Sequence, residues 1–429
     1  MKLKTGIVCF LAAALVLSSG CSAAGAKTGG NNGSPGSSSS QVKGVGATLS
    51  IDSHRLTREQ RMADYDAMWK DIDDNYPLMG VAERTTGNDF QKIRQKYRAQ
   101  VANASSDKDF FDRLNSCAEN FQGCGHMCLV NQNLYDYSTQ LYGKYHSLPQ
   151  NAYFYSVLNN PASRTFYGYS DKKSYSLSNE TGNSNGNVTT IPFGKGRTVC
   201  LQIHSFLNEH IEPDIPKIEK FFQEHASDQN CIIDIRGNGG GDDGYWMNLI
   251  VEPNLEKDVS YTDYSLFRGK ACRDYLATEH AQFFPISELP KLSNLNKSDL
   301  AQMQYFIKDR FDMKSKIGKK EFQGKFYLLT DDGVYSSAEG FAHFCKQTGF
   351  ATIVGDPTGG DGIGIAPLFF VLPNSGICLR FSAGLGLNPD GGSNEEFGTT
   401  PDVRCKPGED ALQTCLDLIE KRGGSEASF

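Results

Sequence analysis

The chain has 429 residues, of which 39% are hydrophobic and 22% charged, and its formal net charge is −7. At about 100–200 residues per domain this length allows two or three domains with ample core. The absence of a long basic run argues against a nucleic-acid binder that works through phosphate contacts, and the confinement of the continuous apolar run to the N-terminus argues against a polytopic membrane protein.

The chain opens with Lys2 and Lys4, followed by an apolar stretch from Ile7 to Leu17 and the small residues Ser18, Ser19 and Gly20 before Cys21. The apolar stretch is short of the roughly 20 residues that span a bilayer. This pattern resembles a bacterial lipoprotein signal, with Leu17 four residues ahead of the cysteine rather than three. The resemblance implies cleavage just before Cys21, lipidation of Cys21 and an exported protein held to the cell envelope; an ordinary secretory signal cleaved nearby is the alternative. Residues 22–46 are rich in Gly and Ser and lack packing side chains, so a flexible linker is expected over 22–50. Beyond the leader stand Cys117, Cys124, Cys128, Cys200, Cys231, Cys272, Cys345, Cys378, Cys405 and Cys415. Export would permit pairing, but connectivity is not legible in a sequence.

Residues 51–130 read as a helical domain. Met62, Tyr65, Met68, Trp69 and Ile72 recur at helical spacing. Further helices are expected near Asp89–Val101 and Asp107–Phe121, the latter capped at Ser106–Asp107. Residues 131–195 are rich in Tyr, Asn, Ser and Gly, with the turn-prone stretch NETGNSNGNVTT; a small β-rich bridging region is expected there. From 196 to 429 strands and helices alternate: TVCLQI, a helix at Asp214–His225, CIIDIR, KFYLLT, a helix at Ser336–Thr348, ATIVG, a β-pair of PLFFVLP with ICLRFS, and a closing helix at 410–421. Such alternation implies an α/β layer with parallel pairing.

Four stretches could carry chemistry. Ser336 opens a helix after strand KFYLLT, where unpaired N–H groups could hold an oxyanion; with Glu339 three residues on it also reads as a capping box. The run CIIDIRGNGGGDDG ends a buried strand in glycines 239–241, which permit close backbone approach. CGHMC places His126 between Cys124 and Cys128, and with Cys117 admits a zinc reading of non-standard spacing. DGGSNEEFGTTPD is a loop in which Glu395 and Glu396 read, on charge alone, as solvated acids.

In this order DIRGNGGG, YSSAEGFA, IVGDPTGG and EEFGTTPD, together with the upstream helices ending in GCGHMCL, resemble the tail-specific (C-terminal-processing) and tricorn-core family of serine peptidases. The likeness covers roughly residues 55–130 and 196–410. It implies an α/β fold with an N-terminal helical bundle and a crotonase/ClpP-like twisted-sheet core, and Ser336 as nucleophile. It implies backbone oxyanion donors at Ser337 and at Gly240 or Gly241. One branch of the family uses a Lys in the loop after the nucleophile helix; Asp361 occupies that position here, so a Ser–Lys dyad is not expected. The tricorn-like branch implies His126 as base and Glu395 as its orienting carboxylate, with Glu396 the alternative. Cys124 stands where the family has Asp, Gly125 where tricorn-like members carry an auxiliary Ser, and no PDZ module is evident.

The expectation is therefore a serine-type endopeptidase of the cell envelope acting on peptide or protein, without cofactor, metal or nucleic acid. The alternative is a non-catalytic protein on the same fold that binds a peptide or apolar ligand, and a third reading places a metal on Cys117, Cys124, His126 and Cys128. Because His126 and Ser336 belong to different regions, the cleft should lie between helical domain and core, and activity could depend on closure.

Overall fold

A computed structural model describes residues 55–175, 186–193, 197–315 and 320–426. The leader, Cys21 and the linker lie outside the described residues, as does much of the turn-rich stretch. Helix α1 (Arg58–Asn75) starts at a capping box in which Thr57 accepts from Gln60 N–H and Gln60 returns the bond. It buries Tyr65, Met68, Trp69 and Ile72, the expected stripe. Helices α2 (Met79–Thr86), α3 (Phe90–Val101) and α4 (Asp107–Ala118) follow, the last capped by Ser106, whose hydroxyl accepts from Asp109 N–H. The short strand β1 (Cys128–Leu129) closes this part.

Residues 131–175 depart from the expected β-rich bridge. They form α5 (Gln132–Lys144), α6 (Pro149–Leu158) and α7 (Pro161–Tyr167). The tyrosines that suggested strands fall at helical spacing, with Leu134, Tyr135, Ser138, Leu141 and Tyr142 buried on α5. The asparagines that suggested loops act as caps: Asn131 accepts from Leu134 N–H and Asn160 from Ala162 N–H, while prolines occupy the first turns of α6 and α7. Among the described residues, the strand content of this stretch is β2 (Val188–Phe193).

The α/β alternation appears where expected: β3 (Thr198–Ile203), α8 (Asn208–His225), β4 (Asn230–Asp234) and the short α9 (Asp243–Trp246). An excursion then supplies β5 (Val259–Phe267), α10 (Lys270–Ala277), β6 (Phe283–Pro285), α11 (Lys297–Leu300) and β7 (Tyr305–Met313). The chain returns through β8 (Lys325–Thr330), α12 (Ser337–Thr348), β9 (Thr352–Gly355), the hairpin of β10 (Leu368–Val371) and β11 (Cys378–Phe381), then β12 (Leu385–Leu387), α13 (Asn394–Phe397), β13 (Val403–Arg404) and α14 (Ala411–Glu426).

The central sheet has the order β13-β9-β8-β4-β3-β2, parallel except for the β2 edge. Its inner strands β3, β4 and β8 are almost wholly buried because both faces are covered. Alternate residues divide cleanly: Val199, Leu201, Cys231, Ile233 and Leu328 pack under α8 and α12, while Cys200, Ile232, Tyr327 and Leu329 meet α14. Burial of each large side chain contributes about 1.5–3 kcal/mol.

Two further sheets, β12-β5-β7-β6 and β1-β11-β10, share one core with the N-terminal helices. Asp64 of α1 fastens the β10–β11 turn by accepting from Asn374 N–H (2.8 Å) and Ser375 N–H (2.7 Å). Antiparallel pairing of β1 with β11 carries the residues just after His126 directly onto the core. The continuity of this core fixes His126 against the α/β layer.

Candidate active site

Ser336 sits between β8 and α12 with φ 59° and ψ −127°, a strained conformation for a side-chain-bearing residue. The strain is held by neighbours: Ser336 N–H donates to Gly360 O (3.0 Å), Tyr335 N–H to Asn238 O (3.1 Å), and Gly340 N–H to Ser336 O (2.8 Å). The expected capping box does not form. The Ser336 side chain makes no cap hydrogen bond, because its Oγ lies 3.0 Å from His126 Nε2. Glu339, fully buried, turns the other way and accepts from Thr358 Oγ1, from Asn394 Nδ2 (2.6 Å) and from Thr399 Oγ1 (2.7 Å). Helix α12 thereby pins the two loops that flank the site.

His126 follows Gly125 in a one-turn helical segment in which both residues have positive φ. A Cβ on Gly125 would come within 2.3 Å of Leu78, so the close approach of this turn to α2 requires glycine. The second ring nitrogen, Nδ1, lies 2.6 Å from Asp361 Oδ2, and this carboxylate is 7% exposed. The bond fixes Nδ1 as the protonated nitrogen and leaves the Nε2 lone pair toward Ser336. Burial holds His126 below its ordinary value, and the Asp361 hydrogen bond opposes that shift.

The structure therefore brings Ser336 and His126 together but puts Asp361, not Glu395, on the imidazole. Glu395 instead accepts from the Tyr335 hydroxyl (2.9 Å). The Tyr335 ring packs against His126 with centroids 4.8 Å apart and occupies the approach from α13. Its hydroxyl oxygen also accepts from the His126 N–H at 3.3 Å. Burial first, and the Asp361 charge second, push the Glu395 carboxyl well above its ordinary range and favour its neutral form. Glu396 is farther removed: it is bound by Arg84 (2.6 Å), which also holds Asp299 (2.7 Å).

Ser382, just past β11, was invisible as a site residue within the strand-like ICLRFS. Its Oγ donates to Asp361 Oδ2 (2.6 Å) and lies 3.3 Å from His126 Nδ1, while its N–H donates to Gly125 O (2.6 Å). The hydroxyl missing at Gly125 thus arrives from another strand. Tyr335 was legible only as part of the YSSAE stretch, with nothing in its spacing to mark a role.

The glycine run lies against Ser336. A Cβ on Gly240 would stand 2.8 Å from Ser337 N and 3.0 Å from Ser336 Cβ, so the space beside the helix start exists because the side chain is absent. Gly240 N–H donates to Asn238 Oδ1 (2.9 Å). Gly241 bridges Phe206 in parallel fashion, with Phe206 N–H bonded to Gly240 O and Asp242 N–H to Phe206 O. That pattern turns the Gly241 N–H to the edge away from Phe206. Ser337 N–H is one of the unpaired donors of the first helical turn.

All ten described cysteines are free and buried. Among the described residues, no group of three or more His, Cys, Asp or Glu is placed to hold a metal ion; His126 points at Ser336 and Asp361 rather than at Cys117 or Cys128. No helix among the described residues is long and apolar enough to cross a membrane.

The sequence profile of peptidase family S41 matches residues 197–405, and that of the tricorn protease C1 domain matches 57–117. Together they cover more than half of the chain. No curated protein matches. Among solved structures, a protein from Parabacteroides merdae ATCC 43184 is 17% identical, with 84% of this chain and 96% of that chain covered and a TM-score of 0.50. Mature CPAF in complex with lactacystin is 12% identical, with 85% and 97% covered and a TM-score of 0.52. At these identities the likeness is one of fold. Together with the strained serine, the glycine run and the paired histidine, the two profile matches place the chain in peptidase family S41, as a tail-specific, tricorn-like serine peptidase.

Proposed function

We propose that the protein cleaves peptide bonds within peptide or protein chains by an acyl-enzyme mechanism in which Ser336, His126 and Asp361 form the triad. The observation that carries this reading is the buried relay in which His126 lies 3.0 Å from Ser336 Oγ and 2.6 Å from Asp361 Oδ2. Nε2 takes the Oγ proton as Oγ bonds the scissile carbonyl carbon. The developing oxyanion is held by Ser337 N–H and a glycine N–H, with Gly241 better oriented than Gly240. Collapse breaks the C–N bond, and the imidazolium gives its proton to the leaving amine. Water then hydrolyses the ester by the same proton route. Asp361 holds the productive tautomer and stabilises the imidazolium.

The test is treatment of the protein with a small fluorophosphonate and with an unstructured protein substrate. The expected result is one adduct, mapped to Ser336, together with internal cleavage products, both lost in Ser336→Ala. Retention of ligand without an adduct at Ser336 would favour the non-catalytic alternative.

The location is proposed on the leader sequence alone: export, lipidation at Cys21 and anchoring at the cell envelope through the linker. A Cys21→Ser change should abolish incorporation of a labelled fatty acid and move the protein to the aqueous phase of a detergent partition. Unchanged partition and labelling would remove the anchor.

A further inference from the structure

Several half-buried arginines are held by carboxylates: Arg84 by Asp299 and Glu396, Arg113 by Asp109, and Arg236 by Asp234 and Asp410. Arg380 of β11 is far more buried, at 3% exposure, and has no such partner. Among the described residues its guanidinium makes no ion pair and no hydrogen bond. Its one compensation is the Phe369 ring, whose centroid is 5.9 Å away, at the outer limit of a cation–π contact. Nε is sealed from solvent, whereas the two terminal nitrogens are not, so the fork of the guanidinium is the part a ligand can reach. A buried cation without an anion or acceptors is costly, and a guanidinium cannot escape the cost by losing its proton.

This arginine stands beside the site already described. In the β1–β11 ladder it pairs with Cys128, two residues past His126. Two residues further along the chain, about 7 Å by strand rise, Ser382 Oγ lies 3.3 Å from His126 Nδ1. Phe381 between them turns the opposite way, onto Tyr76 and Phe370, so Arg380 and Ser382 project from one side. The acids of the site are already engaged: Asp361 by His126 and Ser382, Glu395 by Tyr335. The unbalanced charge also works against the imidazolium. Burial is the largest influence holding His126 low, and the Arg380 charge adds to it. An anion bound to Arg380 would remove that opposition.

We propose that Arg380 receives a carboxylate of the substrate segment that leaves as the amine, bound through its two terminal nitrogens. The inference rests on the peptidase reading. The carboxylate belongs to a chain terminus or to an Asp or Glu side chain, which present the same planar pair of oxygens. Position favours the leaving segment: His126 must reach the leaving nitrogen to give it a proton, and Arg380 lies next along the ladder that carries His126.

Protection of Ser336 from a small fluorophosphonate by short peptides with free amines tests it, with the adduct followed by intact mass. Ala-Ala-Ala is compared as acid and as carboxamide, and carboxamides carrying Glu at one position are compared with their Gln counterparts. In the intact protein an acid should protect about tenfold more tightly than its neutral counterpart. The tripeptide acid does so if a terminus is recognised, a Glu carboxamide if a side chain is. Arg380→Gln should bring that ratio within about twofold of unity, and Arg380→Lys, which keeps the charge without the fork, should retain about threefold. The ratio is taken within each variant, so a general loss of affinity or of folded protein cancels. Equal protection by acids and neutral counterparts in the intact protein overturns the anchor, as does a tenfold ratio that persists in Arg380→Gln. Adducts without discrimination overturn the anchor alone, whereas no adduct at Ser336 in the intact protein overturns the peptidase reading and the anchor with it.

Discussion

Two acidic loops converge on the neighbourhood of His126, and they serve it differently. The loop after β9 brings Asp361 to the imidazole at 2.6 Å, with Ser382 donating to the same oxygen. The loop around α13 brings Glu395 only as far as the Tyr335 hydroxyl. One carboxylate bonds the imidazole directly, where a cationic ring must be stabilised. The other is pushed toward its neutral form by burial and by that first charge. Two carboxylates at one site thus separate into a charged orienting group and a hydrogen-bonding prop, since like charges this close do not both ionise readily.

The strongest way to break the comparison is Asp361→Asn. It keeps the shape but removes the charge and permits the wrong tautomer, so kcat for peptide hydrolysis should fall roughly 10³–10⁴-fold. A loss under tenfold would reassign the orienting role. Next is Glu339→Ala, which leaves the donors of Thr358, Asn394 and Thr399 buried without their acceptor and releases both loops together. Stability should drop by about 3 kcal/mol or more, read as a lowered urea midpoint.

Glu395→Gln should be mild, within about tenfold in kcat, because a neutral isostere can still accept from Tyr335. A loss as deep as that of Asp361→Asn would erase the distinction. Smallest of all is Glu396→Gln, which weakens a partly exposed ion pair with Arg84 and should cost under about 1 kcal/mol with activity unchanged.

The pH profile sharpens the same contrast. His126 lies below its ordinary value of 6.5 because it is buried. Its neutral, base-competent form therefore persists below that pH, and the rate of Ser336 modification should fall only on further acidification. The folded state's reluctance to take this proton also makes its contribution to stability fade as pH drops below 6.5. Loss of Asp361 removes the influence that raises His126, so in Asp361→Asn the acid limb should move lower still. A midpoint above 6.5 in the intact protein would contradict this.

Much of the frame was legible beforehand. The strands TVCLQI and KFYLLT lie where their apolar runs indicate, because a sheet covered on both faces leaves an unmistakable pattern. Ser336 and His126 were legible because their surrounding motifs are local. Asp361 stands out in the sequence only as a carboxylate where one branch of the family has Lys, and that position says nothing of the imidazole that lies between it and the serine. Ser382 and Tyr335 carried no signal, since their roles arise from contacts across 256 and 209 residues of chain. The tyrosine-rich 131–175 segment misled because propensity is a weak prior, and the helical spacing of Leu134, Tyr135, Leu141 and Tyr142 outweighs it.

The most direct test of the central claim is the proton held between His126 Nδ1 and a carboxylate, observed as a far-downfield exchangeable resonance by ¹H NMR. The account predicts that this resonance is present in the intact protein, survives Glu395→Gln and disappears in Asp361→Asn. Its loss in Glu395→Gln and persistence in Asp361→Asn would return the orienting role to Glu395 and contradict the triad drawn here.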